Sequence, residues 1–513
     1  MRKWKVFQMK DFGTIVIGAG FSGLAMGIRL RKAGIADFAI LERATDVGGV
    51  WRDNTYPGVG VDTPSKLYSL STDPNPNWSS LFALGDELHS YTRRIAERYD
   101  LIDRTHFGTA VESAQWSPTR RRWVLKTSAG TYVARVLITA AGLVADPSLP
   151  DIPGVRDFAG EWFHSSQWNH DHDLKGRKVA VVGTGASAIQ FVPEIADTVS
   201  ELHVIQRTAS WVRPKVEMPI SRKAQQRLAR FPILMGLQRS LFYSISEALS
   251  SARNNSFVRN SMRKQCETHL ENQIADPELR AKLLPKFDYM CKRPLISSAY
   301  YPALTKPNVT LHTGGLTAVQ GNTVVTGDGE AIEVDTLIYN TGFDIGVTSP
   351  IARVIHDAEG RSLSDHWGDN PRAYKGVSVP GFPNLFVMQG PNATSGVSSS
   401  LVFAEAQAIY IADALTKIAT EDIATVEVKP EREATWTNWV RRMSQNMVYE
   451  TGGCRSYYLN SKGENVVMWP TWSASYQLRT RQFDSDAYIL TKEKGARPTT
   501  IGIPSVSEDE VFA

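Results

Sequence analysis

The stretch TIVIGAGFSGLAMGIRL, residues 14–30, decides the fold of the chain. It begins with a short apolar run rich in β-branched residues and ends with apolar residues at helical spacing. Between these runs lie Gly18, Gly20 and Gly23, spaced as GxGxxG. In such a turn the first glycine allows the sharp bend, the second leaves room for a pyrophosphate, and the third lets the helix pack closely on the strand. The stretch therefore predicts the strand, turn and helix of a dinucleotide-binding unit.

The residue after the next strand indicates which dinucleotide this unit binds. The run FAIL at residues 38–41 leads into Glu42, which lies about 20 residues beyond the glycine turn. A carboxylate at that position binds ribose hydroxyls and disfavours a 2′-phosphate. We therefore expect the first site to bind FAD or NAD rather than NADP.

A second stretch repeats the design, with KVAVVGTGASAIQFV at residues 178–192. Gly183 and Gly185 take the first two glycine positions, and Ala188 takes the third, which the pattern tolerates. The start of the following helix would present amides and hydroxyls to a pyrophosphate. The residues expected at that contact are Thr184, Gly185, Ser187 and Gln190.

The second unit differs from the first at the end of its second strand. The run ELHVIQRT, residues 201–208, ends in Arg207 and Thr208 where the first unit has an acid. A cation beside a hydroxyl suits a 2′-phosphate. The second site is therefore predicted to bind NADPH.

Apolar strands on both sides of the second unit indicate the domain organisation. RVLITAAG at residues 135–142 and DTLIYNTGFD at residues 335–344 both end in small residues and glycine, so the chain is expected to leave the first domain and return to it. The predicted fold is α/β, with two Rossmann-like dinucleotide-binding domains for FAD and NADP and a helical insertion in the NADP domain. The expected boundaries are 1–150 for the first part of the FAD domain, 151–177 for a linker, 178–335 for the NADP domain with helices at about 215–293, and 336–513 for the second part of the FAD domain with a C-terminal substrate-pocket segment.

Composition narrows the class of protein. The chain has 513 residues, of which 42% are hydrophobic and 21% charged, as in a soluble globular protein with more than one packed unit. A net charge of +4 gives no reason to expect a nucleic-acid partner. Residues 1–12 lack the apolar core of a secretory signal. The most apolar run, residues 231–245, is interrupted by polar residues and is expected to pack on the protein as a helix rather than span a membrane.

Three cysteines are present, at Cys266, Cys291 and Cys454. They are few, widely separated, odd in number and without metal-ligand spacing, so we expect small buried apolar residues, no metal site and a reducing, cytoplasmic compartment. A chain with FAD and NADPH sites passes a hydride between them, and the reduced flavin then meets dioxygen, a disulfide or another electron carrier. Because no CxxC accompanies either glycine turn, oxygen chemistry is the favoured outcome.

The stretch FAGEWFHSSQWN between the two units carries a family resemblance. Its pattern FxGxxxHxxxW, at Phe158, Gly160, His164 and Trp168, resembles the fingerprint of type I Baeyer–Villiger monooxygenases. N- and S-oxygenating flavin monooxygenases carry Tyr or Phe where Trp168 stands. Four further blocks look like the same family, at residues 48–62, 290–309, 379–392 and 452–470. The chain departs from the family pattern at Val59, Asn169 and Met290, and most of all at GVSSS, residues 396–400, which is expected near the nicotinamide and substrate.

The resemblance implies a reaction and residues for it. NADPH would reduce FAD, dioxygen would form a peroxyflavin, and one oxygen atom would be inserted beside a ketone carbonyl to give an ester or lactone. Its implied catalytic group consists of Arg293 as the fixed cation, Asp62 as its carboxylate partner, and His164 as a residue that links the domains. Lys292 would join Arg207 and Thr208 around the 2′-phosphate. The residues implied to pack beside or border the flavin are Gly49, Trp51, Asp62 and Tyr68.

Two other functions remain open from the sequence. One is an N- or S-oxygenating flavin monooxygenase or an uncoupled NADPH oxidase, and the other is a nucleotide-binding flavoprotein that acts as a partner or sensor. The expected partners are a small-molecule ketone or sulfide and dioxygen, with no nucleic acid and no membrane span. We expect a monomer or a homodimer.

Overall fold

A computed structural model describes residues 9–346 and 349–492. The first eight residues, on which the prediction about a secretory signal partly depends, lie outside this part of the chain. The strands, in chain order, are β1 (Lys10–Ile17), β2 (Phe38–Leu41), β3 (Thr105–His106), β4 (Val111–Ser117), β5 (Arg122–Thr127), β6 (Gly130–Thr139), β7 (Glu161–His164), β8 (Lys178–Val182), β9 (Glu201–Gln206), β10 (Val212–Arg213), β11 (Leu295–Ile296), β12 (Val309–Thr313), β13 (Leu316–Gln320), β14 (Thr323–Thr326), β15 (Ala331–Glu333), β16 (Thr336–Tyr339), β17 (Ile355–His356), β18 (Leu385–Val387), β19 (Ile423–Val428) and β20 (Tyr488–Lys492).

Helices connect and cover these strands. In chain order they are α1 (Phe21–Lys32), α2 (Val50–Asp53), α3 (Gly85–Arg98), α4 (Ala188–Ile195), α5 (Arg222–Arg230), α6 (Pro232–Ser250), α7 (Ser256–Gln273), α8 (Pro277–Leu283), α9 (Tyr300–Leu304), α10 (Pro350–Val354), α11 (Leu363–Trp367), α12 (Ser400–Thr420), α13 (Pro430–Ser444), α14 (Val448–Thr451) and α15 (Ser473–Arg479). Helices α5 to α8 occupy the stretch where apolar periodicity predicts a helical insertion. Within the described residues, no helix combines the length and the apolar character needed to cross a bilayer.

The opening stretch forms the centre of the first sheet, whose strand order is β17-β4-β5-β6-β1-β2-β3, with β18 also paired to β6. β1 runs parallel to both β2 and β6, and Thr14 stands opposite Phe38. Ile15 and Val16 are fully buried, because helices and other segments of the chain cover both faces of this central strand. The predicted strand, turn and helix are confirmed.

The glycine turn explains how closely α1 packs on the sheet. Gly18 has a φ of +100°, which favours glycine. A Cβ atom at Gly23 would lie 1.9 Å from the carbonyl oxygen of Gly18, so any side chain there would push α1 away from the turn. On its other side α1 packs against α12.

Strands from two distant parts of the chain complete the first sheet. β17 pairs with β4, with Ile355 opposite Ala114, and β18 pairs with β6, with Leu385 opposite Leu137. In sequence, the strands of the second sheet lie after β6 and before β17. The first sheet is therefore built from segments before and after the second one.

The second sheet is parallel, in the order β12-β9-β8-β16-β7. Two of its strands require a correction to the expected boundaries. β7 lies in the expected linker at 151–177, and β16 begins at Thr336, one residue beyond the expected end of the second domain. Tyr339 of β16 pairs with both Val182 and His164, so both strands belong to the second sheet. An apolar run in a sequence does not reveal which of two sheets it joins, and that is why the boundaries were misplaced.

The cysteines also differ from the prediction. Cys291 and Cys454 form a disulfide, with their Cα atoms 6.0 Å apart and a sequence separation of 163. A pairing over that distance leaves no local spacing signal in the sequence. The disulfide removes the basis for predicting a reducing compartment. Cys266 is free and buried as expected, and burial raises the pKa of its thiol to about 12.

Candidate active site

A cavity of about 370 Å³ lies at the carboxyl ends of β1, β2 and β6, within the usual size range of ligand sites. Ligands of open α/β sheets bind at this edge. Its lining includes the first glycine turn, the predicted acid and the start of the family block at residues 48–62, namely Gly18, Gly20, Phe21, Ser22, Glu42, Gly48 and Gly49. A Cβ atom at Gly49 would lie 3.0 Å from the Cα atom of Gly20, so the two segments meet this closely because residue 49 is glycine.

Glu42 is held rigidly in this cavity and is 4% exposed. Its Oε2 accepts a hydrogen bond from the Ala19 amide at 2.8 Å, and its Oε1 accepts one from the Ala44 amide at 2.9 Å. Arg52, which the sequence did not single out, forms an ion pair with Oε1 at 3.1 Å. Because each carboxylate oxygen has two lone pairs, capacity remains for ribose hydroxyls.

Trp51 and Tyr68 form an aromatic pair beside the cavity. The Trp51 Nε1 donates to the Tyr68 hydroxyl at 3.2 Å, and the two rings meet edge to face with centroids 5.6 Å apart. Tyr68 lines the cavity directly, and burial raises the pKa of its hydroxyl to about 12. Trp51 therefore contacts this cavity through Tyr68 rather than as part of its lining.

The second glycine turn lies at the carboxyl end of β8. Gly183 has a φ of +103°, and a Cβ atom there would stand 2.4 Å from the Asn340 carbonyl oxygen. Gly185 is exposed, Thr184 is buried, and Ser187 immediately precedes α4 without making a side-chain cap. These three residues are thus gathered at one helix start, where amides are available to an anion.

Gln190 has a different set of contacts from the other residues predicted around the pyrophosphate. Its Oε1 accepts from the Tyr56 hydroxyl at 2.9 Å, and its Nε2 donates to the Gly60 carbonyl at 2.9 Å. The side chain therefore joins α4 to the segment that follows the first glycine turn. Sequence reasoning missed this contact, since 130 residues separate Gln190 from Gly60.

Two of the three residues predicted around a 2′-phosphate influence each other electrostatically. Burial, and next the charge of Arg207, lower the pKa of Lys292. Neither cation forms an ion pair with a carboxylate within the part of the chain described. Arg207 and Thr208 are exposed directly after β9. Two neighbouring cations without a carboxylate partner suit the binding of a dianion such as a phosphate.

Arg293 and Asp62 form a bidentate ion pair, although they are 231 positions apart in sequence. The Arg293 Nε donates to Asp62 Oδ2 at 2.8 Å, and Nη2 donates to Oδ1 at 2.6 Å. Burial alone would lower the pKa of Arg293, but the charge and hydrogen bonds of Asp62 outweigh burial and raise it above its ordinary value. The guanidinium is therefore a permanent cation.

The remaining contacts of Arg293 leave part of its guanidinium available. Nη2 also donates to the Thr63 hydroxyl at 3.3 Å, and Nη1 donates to the Gly396 carbonyl at 3.2 Å. With the two bonds to Asp62, four of the five N–H groups have acceptors among the described residues. One Nη1 hydrogen remains for a ligand.

A smaller cavity of about 200 Å³ surrounds this ion pair. Its walls include Tyr457 and Tyr458, which sequence reasoning did not single out within the C-terminal block. Burial raises the pKa of both tyrosines, and the Tyr458 hydroxyl accepts from the Arg293 amide at 3.3 Å. The sequence signal that could have identified these two residues is the pair of consecutive tyrosines in SYYL, residues 456–459. Other walls of this cavity come from Asp62, Thr63, Tyr68, Thr394, Ser395, Ser398 and Ser400.

The predicted loop at 396–400 contributes to the same cavity. Gly396 supplies the carbonyl that accepts from Arg293, and a Cβ atom there would lie 3.1 Å from the Tyr449 hydroxyl. Ser398 is 1% exposed, and its hydroxyl has no hydrogen-bond partner among the described residues. The segment in which this chain departs from the family pattern therefore lies against the predicted arginine.

His164 lies apart from this ion pair, at the end of β7. It is 2% exposed, and its Nδ1 lies 2.8 Å from the Ser166 hydroxyl oxygen and accepts from the Ser166 amide at 3.2 Å. Its Nε2 is buried and has no hydrogen-bond partner among the described residues. Burial lowers the pKa of His164 to about 4, so the ring is neutral at pH 7.

The aromatic residues around His164 fasten this segment to the second sheet. Trp168 packs edge to face between Phe163 and Phe191, with ring centroids 5.2 Å away on each side. A Cβ atom at Gly160 would lie 2.6 Å from the Asp335 carbonyl and 2.7 Å from the Phe158 ring, so the turn needs glycine. Trp168 thus connects β7 to α4 through aromatic contacts.

Known proteins resemble the chain over most of its length. A Baeyer–Villiger monooxygenase of Pseudomonas aeruginosa is 40% identical over 500 residues, which cover 96% of this chain and 94% of that protein. A Baeyer–Villiger monooxygenase of Streptomyces coelicolor is 39% identical, over 96% of this chain and 95% of that protein.

A solved structure and a family model agree with this similarity. The structure of OTEMO in complex with FAD and NADP superposes with a TM-score of 0.83 and 25% identity, over 94% of this chain and 99% of that one. The family model described as pyridine nucleotide-disulphide oxidoreductase matches residues 15–235. That range contains both glycine turns.

Proposed function

The chain belongs to the Baeyer–Villiger monooxygenase family, and from this membership we propose that it is an NADPH-dependent FAD enzyme that inserts one oxygen atom from dioxygen beside a ketone carbonyl. The product would be an ester or a lactone. The observation that carries the proposal is the bidentate pair of Arg293 and Asp62, which lines a cavity that shares Tyr68 and Ser400 with the cavity at the first glycine turn.

The first sheet and its cavity are the proposed FAD site. Gly20 and Gly49 line the cavity where a pyrophosphate would lie, and Glu42 is fixed where a ribose would lie. FAD bound there and reduced by NADPH supplies the activated oxygen of the reaction. Tyr68 borders this cavity and the one around Arg293, so it would face the reacting end of the flavin.

The second sheet is the proposed NADPH site. Gly183, Thr184, Gly185 and Ser187 would receive the pyrophosphate at the start of α4, and Gln190 would keep that helix against the first unit. Arg207, Thr208 and Lys292 would hold the 2′-phosphate. A cytoplasmic location, where NADPH is regenerated, and a monomeric or homodimeric state are parts of the same proposal.

The proposed domains follow the two sheets. The FAD domain would contain residues 1–150 and the chain beyond the second sheet, and the NADP domain would contain the second sheet with its helical insertion, now including β7 and β16. His164 is proposed as a positioning residue between them, because it is neutral, buried and 5.5 Å from the Phe343 ring.

The arginine is the proposed catalytic residue. A tetrahedral oxyanion forms when a ketone carbonyl is attacked, and a fixed cation in a site with little water stabilises it. Asp62 binds the edge of the guanidinium formed by Nε and Nη2. The remaining Nη1 hydrogen would then point into the cavity. Because arginine does not deprotonate near neutral pH, this charge is present throughout turnover.

The test follows NADPH consumption by the purified flavoprotein with aryl, cyclic and linear ketones, and quantifies ester and hydrogen peroxide together. Arg293→Ala should retain flavin but lose ester formation. Arg31→Ala, which removes an exposed arginine paired with Asp100, is the matched control and should match the wild type. Oxygenation of thioethers or amines with no ester from any ketone would contradict the proposal.

A further inference from the structure

Helix α6 carries a row of large apolar side chains on its exposed face. Ile233, Leu237, Leu241 and Ile245 follow one another at intervals of four residues, and they are 77%, 64%, 57% and 45% exposed. Residues at this spacing lie on one side of a helix. The row therefore runs along most of the length of α6.

The face of α6 that meets the protein combines apolar and polar contacts, and Phe242 and Tyr243 pack there against a buried cluster. Arg239 donates to the backbone carbonyls of residues 66, 67 and 69 and forms an ion pair with Glu405 at 3.3 Å. Glu247 is 5% exposed and accepts from the Ser473 amide at 2.9 Å. A surface helix ordinarily buries its apolar side and exposes its polar side. On α6 the exposed side is apolar as well.

No charged side chain interrupts the exposed face. The exposed residues of α6 are Pro232, Ile233, Gly236, Leu237, Ser240, Leu241, Ser244, Ile245 and Ala248. Single exposed apolar residues are common on protein surfaces, but a continuous row indicates a surface that binds another molecule or a membrane.

The neighbouring helix α5 supplies positive charge. Arg222, Lys223, Arg227 and Arg230 are all exposed on it, and Phe231, 48% exposed, joins α5 to α6. Residues 218–246 contain no aspartate or glutamate. We call the exposed bases of α5 and the apolar row of α6, together with Phe231, the α5–α6 face.

We propose that the α5–α6 face binds the surface of an anionic lipid bilayer. The apolar row of α6 would enter the boundary between headgroups and acyl chains, with the helix parallel to the membrane plane, as interfacial helices do. The bases of α5 would pair with lipid phosphates. This inference stands on exposure and charge alone and does not depend on the proposed reaction.

A second copy of the chain fits the α5–α6 face less well. A twofold contact would bring two identical faces together, and each carries four bases with no acidic residue in the same segment to pair with them. Like charges across an interface oppose association. An anionic bilayer satisfies both the charge and the apolar row.

The test is cosedimentation of the flavin-loaded full chain with phosphatidylcholine vesicles that contain or lack phosphatidylglycerol. Binding should appear with the anionic vesicles and decrease as salt is added, because screening weakens the attraction. Changing the four α5 bases to glutamine should weaken binding by about fivefold for each base near the surface. Leu237→Ser with Leu241→Ser should also weaken it strongly.

Two matched variants serve as controls. Met443→Ser with Ile489→Ser removes two other exposed apolar side chains, and glutamine at Arg120, Lys126, Arg156 and Lys175 removes four exposed bases elsewhere. Both should bind vesicles like the wild type. The proposal is overturned if the protein stays unbound with both vesicle types at low salt, or if the controls lose as much binding. It is also overturned if ultracentrifugation reveals a dimer that the Leu237 and Leu241 changes abolish while vesicles bind nothing.

Discussion

Asp62 orients Arg293 by binding the Nε–Nη2 edge of the guanidinium with hydrogen bonds of 2.8 and 2.6 Å. Asp62→Asn keeps the size of the side chain but removes its charge and one acceptor. We expect ester formation to fall about 100-fold, the scale of losing one well-placed oxyanion donor, while flavin remains bound. Product analysis with a ketone accepted by the wild type measures this effect. Asp100→Asn, which disrupts an exposed pair with Arg31, should have no effect, and an equal loss in both variants would refute the prediction.

His164 makes stability depend on pH. Burial lowers its pKa to about 4 from an ordinary value of 6.5, so below pH 6.5 the unfolded chain binds a proton that the native protein does not. Stability conferred by the neutral ring is thus intact above pH 6.5 and is lost as the pH falls toward 4. Between pH 7 and 5 the loss is about 2 kcal/mol.

Urea unfolding at pH 7 and pH 5 measures this contribution. His164→Gln should lose less stability over that interval than the wild type does. His170→Gln, at an exposed histidine, should behave as the wild type. An unchanged pH dependence in His164→Gln would show that the ring is not the group responsible.

Sequence patterns singled out residues that the structure places around cavities. Glu42 came from the first glycine unit, whereas Arg293 and Asp62 came from the family resemblance, and the structure joins these two in an ion pair. Tyr457 and the Cys291–Cys454 disulfide were missed, because their importance depends on contacts between segments far apart in the chain. Gln190 was placed at the correct helix, but its side chain contacts Gly60.

At the scale of elements, α1 tests whether the glycine turn determines flavin binding. Gly23→Ala would place a Cβ atom 1.9 Å from a rigid backbone oxygen, whereas Gly27→Ala, on the same helix, would meet the end of the Leu101 side chain at 2.9 Å. The first contact forces α1 to move, and the second allows a side chain to adjust. Gly23→Ala should therefore lose FAD, and Gly27→Ala should keep it. The ratio of flavin to protein absorbance measures both, and full flavin content in Gly23→Ala would contradict the argument.

Element prediction was strongest for long periodic segments and weakest for short strands. The strands and helices of both glycine units follow from apolar periodicity and turn chemistry. β7 has four residues and begins with Glu161 and Trp162, both partly exposed, so its place at a sheet edge was hidden. Its partner β16 was recognised as a strand but assigned to the wrong sheet, because parallel neighbours are not consecutive in sequence.

At the scale of the whole molecule, the disulfide links the segment of Arg293 to the segment of Tyr457. Closing a loop of 163 residues stabilises a protein by at most about 5 kcal/mol in the loop-entropy model. Dithiothreitol should therefore lower the thermal midpoint of the wild type. Cys291→Ser should start from the lower midpoint and not respond, whereas Cys266→Ser should respond as the wild type does. A wild-type midpoint insensitive to reductant would refute this role.

The order of strands along the chain also bears on how the protein is made. All five described strands of the second sheet lie between residues 161 and 339, whereas β18 reaches its place beside β6 only at residues 385–387. As the nascent polypeptide emerges from the ribosome, the second sheet has all its strands while the first still lacks two. The strands of the later unit are therefore all synthesised before the set of the earlier one is complete, and the part of β6 at Leu137–Thr139 stays open to mispairing until translation has passed Val387.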